Sequence, residues 1–210
     1  MKQYKGSYAA ALHGLSLIVL AVMFVLSCTI SFAQEGPAAN ILILYYSRTG
    51  NTRLCCEALQ KDLDADLIEI KDRENRSGGW GFFTGAIGSL FNVHTKIEPA
   101  HPDLAAYRNV IIASPIWTGT LSTAIRTLID ENRWDGKNMV LFTTTNAAEK
   151  EKYIEKSKAR AAQRGAQVLG YCQVVVKNEV NGERVDRPQQ EIIDAARRFV
   201  PEIKKAFSLP

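Results

Sequence analysis

The stretch Ile41-Leu42-Ile43-Leu44-Tyr45-Tyr46-Ser47-Arg48-Thr49-Gly50-Asn51-Thr52-Arg53 constrains the fold more than any other part of the chain. Its opening apolar run reads as a strand buried on both faces, as in a parallel sheet. The run breaks into hydroxyl, glycine and amide residues, and Leu54-Cys55-Cys56-Glu57-Ala58-Leu59 then takes up helical spacing. A strand, a tight polar turn and a helix N-terminus make an anion site, because free backbone N–H groups and the positive end of the helix dipole face into the turn. Gly50 can adopt backbone angles that bring the chain close to a ligand. Ser47, Thr49, Asn51 and Thr52 add neutral donors, and Arg48 is the one charged side chain inside the turn, free to point either way. Such a donor set suits a phosphate monoester held without a metal.

Two nucleotide loops are excluded by spacing. A P-loop needs Lys after its second glycine, and none follows Gly50; the dinucleotide fingerprint needs three spaced glycines, and one is present. The same stretch resembles the FMN-phosphate signature of the flavodoxin family. Ile43, Leu44, Tyr45, Ser47, Gly50 and Thr52 match it in register, and Cys56 stands where the signature has Ala. The resemblance covers about Ile41 to Phe207. It implies an FMN cofactor and an α/β three-layer sandwich whose five parallel strands run in the order 2-1-3-4-5, an order for which flavodoxin is itself the standard illustration.

Hydrophobic patterning agrees with that architecture. Short apolar runs at Asp66–Ile70, Asn109–Ala113, Asn138–Phe142 and Gln167–Val176 read as four further strands. Helical patterns separate them at Thr120–Ile129 and Ala147–Arg164, and Pro188–Phe207 reads as one closing helix. In this topology the loops after the third and fourth strands face the same ligand as the first. Ser114-Pro115-Ile116-Trp117-Thr118-Gly119 supplies a stiff turn, a flat aromatic face and a close backbone approach. Thr143-Thr144-Thr145-Asn146 supplies hydroxyls that serve as a helix cap, as partners for the edge of a flavin, or as both. The expected cofactor-binding set is therefore Ser47, Arg48, Thr49, Gly50, Asn51, Thr52, Ser114, Pro115, Ile116, Trp117, Thr118, Gly119, Thr144, Thr145 and Asn146. No metal-ligand or nucleophile pattern accompanies it, and no Tyr equivalent to that in the third loop of many flavodoxins is evident.

Residues 1–33 read as a leader. Lys2 and Lys5 precede an uncharged apolar stretch from Leu15 to Leu26, and Ser31-Phe32-Ala33 offers small residues for cleavage. Val25-Leu26-Ser27-Cys28 also resembles a lipobox, and the run to Ala33 is long enough for an uncleaved anchor. Each alternative implies export to the periplasm or the outer face of a membrane, with attachment in two of the three. Residues 34–40 form a short linker and 41–210 the domain. Losing Lys2 and Lys5 lowers the formal charge of +4 by two, which leaves no nucleic-acid footprint. The expected partners are a redox protein or a quinone-type acceptor. Cys55, Cys56 and Cys172 read as buried thiols. The irregular segment 71–102 carries Trp80, Phe82, Phe83, Leu90 and Phe91, which cover one side of the sheet, form an exposed lid or docking patch near the flavin, or rest on the membrane. Three functions fit: an electron carrier, an FMN-dependent reductase of quinones or other small acceptors, and a flavodoxin-like binding module without FMN.

Overall fold

The structure, a computed structural model, describes residues 40–73 and 94–210. The leader, nearly all of the linker and the aromatic residues from Trp80 to Phe91 lie outside the described residues. Strand β1 (Ile41–Tyr45) leads into helix α1 (Asn51–Leu63), and β2 is Asp66–Glu69. The short strands β3 (Lys71–Asp72) and β4 (Ile97–Glu98) pair with each other. Next come β5 (Asn109–Trp117), β6 (Thr120–Leu121), α2 (Thr123–Glu131), β7 (Asn138–Thr145) and α3 (Glu151–Ala162). The chain closes with β8 (Gln167–Val175), β9 (Lys177–Val180), β10 (Glu183–Asp186), α4 (Gln189–Arg197) and α5 (Val200–Ala206).

The parallel sheet runs β2-β1-β5-β7-β8, which is the expected order 2-1-3-4-5 in a flavodoxin-like sandwich. Side chains alternate across a strand, so β1 feeds two cores. Ile41, Ile43 and Tyr45 pack with Cys55, Cys56 and Leu59 of α1 and with Ile192, Ile203 and Phe207 near the C-terminus. Leu42, Leu44 and Tyr46 pack with Ile125, Leu128 and Ile129 of α2 on the other side. Every residue of β1 is buried, which is why the sequence there is unbroken by polar residues. The three cysteines are free and buried, and burial pushes the Cys55 and Cys172 thiols up to about 12 and Cys56 well above its usual range.

Several elements depart from the sequence reading; β7 runs on to Thr145, past Phe142, and α3 accordingly starts at Glu151 and not at Ala147. β5 continues to Trp117 instead of ending at Ala113, and it then turns back through Thr118-Gly119 to pair with β6. Pro115 is tolerated there because pairing with β1 stops at Ala113, which leaves no β1 carbonyl waiting for its missing N–H, while β7 still pairs alongside as far as Pro115. Helix α2 consequently starts at Thr123, three residues later than its periodicity suggests. The closing helix splits into α4 and α5, with Pro201 in the first turn of α5. A proline ring clashes with the carbonyl four residues back and offers no N–H, so one continuous helix is not available. Finally, β9 and β10 form a hairpin in a stretch that the apolar patterning leaves blank.

Candidate functional site

The carboxyl ends of β1, β5 and β7 converge on a cavity of about 330 Å3. It lies at the switch between β1 and β5, where connections leave in opposite directions and open the crevice that doubly wound sheets use for ligands. A larger, shallower cleft of about 630 Å3 between α2 and α3 is lined by charged side chains such as Asp130, Lys156, Arg160 and Arg164. There Asp130 already engages Arg160 at 2.5 Å and His94 at 2.9 Å. The smaller cavity gathers the loop residues and is the candidate site.

The first loop is held from within. Ser47 Oγ accepts the N–H of Gly50 at 3.2 Å and that of Arg53 at 3.3 Å, closing the turn onto α1. Gly50 is the N-cap of α1 at φ 96°, and a Cβ there would meet nothing within 4 Å; backbone conformation, not crowding, makes glycine the suitable residue. The first turn of α1 carries no acidic residue, so its positive end is left for an external anion. Thr52 faces inward, buried, with its hydroxyl 2.8 Å from that of Thr144, which joins the first loop to the end of β7. Arg53 turns away to Glu69 at 2.5 Å. Arg48, Thr49 and Asn51 are the first-loop residues that line the cavity.

The third-strand segment contributes Pro115, Ile116, Trp117, Thr118 and Gly119. Trp117 is 7% exposed and packs in a T-shaped contact with Tyr46, with ring centroids 5.7 Å apart, so the core fixes its position and leaves little of it exposed. Thr118 and Gly119 both have positive φ, 50° and 75°, as a two-residue hairpin of primed type requires. Thr118 is β-branched and therefore strained there. Gly119 lies under the ring of Tyr153, whose atoms would be 3.0 Å from an added Cβ. Ser114 is fully buried, bonded to Ser122 through both its hydroxyl and the Ser122 N–H, and it lies outside the cavity lining. Ser47, Gly50 and Thr52 likewise shape the loop without lining the cavity.

At the end of β7, Thr144, Thr145 and Asn146 all line the cavity. Thr145 Oγ1 donates to the Ala147 carbonyl at 2.8 Å, so this hydroxyl and that of Thr144 already serve the protein. Glu149 anchors the same loop to β8. Its N–H donates to Gln173 Oε1 at 3.1 Å, and its Oε2 accepts from Gln173 Nε2 at 2.9 Å and from the Tyr171 hydroxyl in a short bond. Burial raises the Glu149 carboxyl above its usual range, against the opposing pull of Tyr171 and Gln173. A carboxyl raised in the folded state contributes stability that is full below its unfolded pKa and lost as pH rises through the folded one. Glu149→Gln should therefore gain thermal stability relative to the parent between pH 4 and pH 8. Melting temperatures at both ends check this, and a pH-independent gap would contradict it.

Ala147, Val176 and Arg184 also line the cavity and are absent from the sequence-derived set. Val176 links β8 to the β9–β10 hairpin, which carries Arg184 and whose turn Asn181-Gly182 has φ 52° and 82°. Asn-Gly between strands is the strongest short-range hairpin signal, so this element was readable in the sequence.

No protein-family profile and no curated protein matches the chain. Among solved structures, a Lactobacillus acidophilus flavoprotein crystallised in complex with FMN is similar at 24% identity and a TM-score of 0.54, covering 65% of this chain and 93% of its own. A protein from Bacteroides eggerthii, provisionally classed as a flavoprotein, is similar at 20% identity and a TM-score of 0.56, covering 78% of this chain and 97% of its own. Its counterpart from Bacteroides uniformis, classed in the same way, is 16% identical with a TM-score of 0.55 over 76% of this chain and 98% of its own. At these identities the likeness shows the fold, and the site must be argued from its own residues.

Proposed function

We propose that this flavodoxin-like chain binds FMN in the cavity between the first, third and fourth strand loops and serves as an electron carrier. The observation that supports the reading most is the convergence of an open helix N-terminus with the Pro115–Gly119 segment and the Thr144–Asn146 end of β7 on one cavity. The cavity meets the cofactor's three demands. The Thr49–Asn51 turn offers backbone donors to a phosphate. Trp117, Ile116 and Val176 offer apolar surface to a ring. Gly119 and the peptides around it let main chain approach that ring closely.

When bound, the flavin supplies the one- and two-electron redox chemistry, and the protein's part is to hold, orient and tune it. Ser47 fixes the curvature of the phosphate turn through two N–H groups. Thr52 and Thr144 lock that turn to β7, and Glu149 with Gln173 locks the fourth loop to β8. Tyr46 and the core beneath hold Trp117 in place. The sequence carries no P-loop and no three-glycine dinucleotide fingerprint, which is the ground for placing the carrier ahead of a self-sufficient reductase. The leader adds an exported location to the proposal, with a redox protein or membrane quinone as partner. Recovery of full-length chain from the cytoplasm of its host would contradict export.

The FMN-loaded chain should oxidise NADPH negligibly in the presence of a quinone, while accepting electrons from a chemical donor. Multiple turnovers by the chain alone would move the reading to an FMN-dependent reductase. Failure to retain FMN would move it to a binding module.

A further inference from the structure

Among the described residues lining the cavity two are arginines, Arg48 and Arg184, and none is acidic. Arg184 reaches it from outside the FMN-phosphate turn. The β9–β10 hairpin carries it there, and that hairpin is pinned beside the fourth loop. Val176 N–H donates to the Thr145 carbonyl at 2.8 Å, Arg187 N–H to the Val176 carbonyl at 3.0 Å, and Arg187 Nη1 to the Val175 carbonyl at 2.8 Å. Pairing places Lys177 opposite Asp186 and Glu179 opposite Arg184, so these four share one face. Lys177 and Asp186 satisfy each other at 3.0 Å. Glu179 is the remaining carboxylate, and no ion pair joins it to Arg184 among the described residues. An exposed guanidinium at the rim of a cavity whose lining holds no carboxylate, with its fork of donors, is a receptor for two oxygens of a carboxylate or sulfonate.

Resting on the FMN reading above, we infer that Arg184 is a specificity-determining residue, selecting small molecules that carry a carboxylate or sulfonate over neutral ones of the same shape at the mouth of the site. The phosphate turn provides for the cofactor's own anion, so the hairpin arginine is available to a second one. Glu179, directly across the hairpin, opposes that second anion and sets the strength of the selection.

The test uses the FMN-loaded full chain and a redox-inert pair of probes, 2-naphthalenesulfonate and 2-naphthamide, with binding read from perturbation of the flavin spectrum. The sulfonate should bind about tenfold more tightly than the amide at low salt, and the preference should shrink as salt is raised. Arg184→Gln should lower the sulfonate-to-amide affinity ratio about fivefold or more, and Glu179→Gln should raise it. Equal ratios in the parent and Arg184→Gln would overturn the inference while leaving FMN binding untouched. So would a loss of preference for FMN over riboflavin in Arg184→Gln, because the arginine would then serve the cofactor phosphate. A chain that retains no FMN would overturn the proposed function and this inference together.

Discussion

FMN should bind this chain at least about a hundredfold more tightly than riboflavin. The two ligands differ only in the phosphate, so their ratio isolates the first loop. A hydrogen bond to a charged group contributes about 1.5–3 kcal/mol net, and two of them from the open turn at α1 correspond to roughly two orders of magnitude or more. Neutral donors dominate that turn, so much of the discrimination should persist in moderate salt. Substitutions sharpen the point. Ser47→Ala removes the acceptor of the Gly50 and Arg53 N–H groups, and should weaken FMN by loosening the turn. Thr52→Ala should also lower stability by about 1 kcal/mol, because it leaves the buried Thr144 hydroxyl without its partner. Fluorescence titration with both flavins gives the ratio directly. Equal affinities would remove the phosphate assignment.

Gly119→Val should abolish FMN binding while leaving the sheet folded. A β-branched residue at φ 75° is strained by more than about 1 kcal/mol, and even a methyl group there would press on the Tyr153 ring at 3.0 Å. The hairpin would have to open or Tyr153 swing out, and either change reshapes the wall of the cavity. A combined cost of about 2–3 kcal/mol should lower the melting temperature by roughly 5–10 °C in a domain of this size. The neighbouring residue gives a contrast of opposite sign. Thr118 sits at φ 50°, and Thr118→Asn would make the turn Asn-Gly, as at Asn181-Gly182, and should stabilise the chain by about 0.5–1 kcal/mol. Calorimetry of both variants, together with their flavin affinities, checks the pair. A Gly119→Val chain with unchanged affinity would place the ligand elsewhere.

The parallel sheet was legible because its signal is one-dimensional. β1 is buried on both faces, so apolar continuity alone marks it, and the alternation with helices then restricts topology. The cavity was legible because parallel strands deliver every following loop to one edge. What sequence reasoning missed depends on pairing between stretches distant in pattern. The extension of β5 rests on Thr118 accepting positive φ, which residue type argues against. Ser114 looks like a loop hydroxyl and is instead tied to Ser122 in the core. The split of the closing helix was written in Pro201, and the β9–β10 hairpin in Asn181-Gly182; both signals were present, and helical periodicity and strand hydrophobicity are insensitive to them. Arg184 could be reached only through that hairpin, since nothing in its immediate neighbours marks a site.

Occupancy of this cavity by FMN can be read from the spectrum of the loaded chain. Purified chain is incubated with excess FMN, freed of unbound cofactor by gel filtration, and scanned from the ultraviolet through the visible. The expected result is a yellow protein with about one FMN per chain, resolved flavin bands, and tryptophan emission quenched relative to the flavin-free chain, with less quenching in Trp117→Phe. A folded chain that emerges colourless, with its tryptophan emission unchanged, would contradict it.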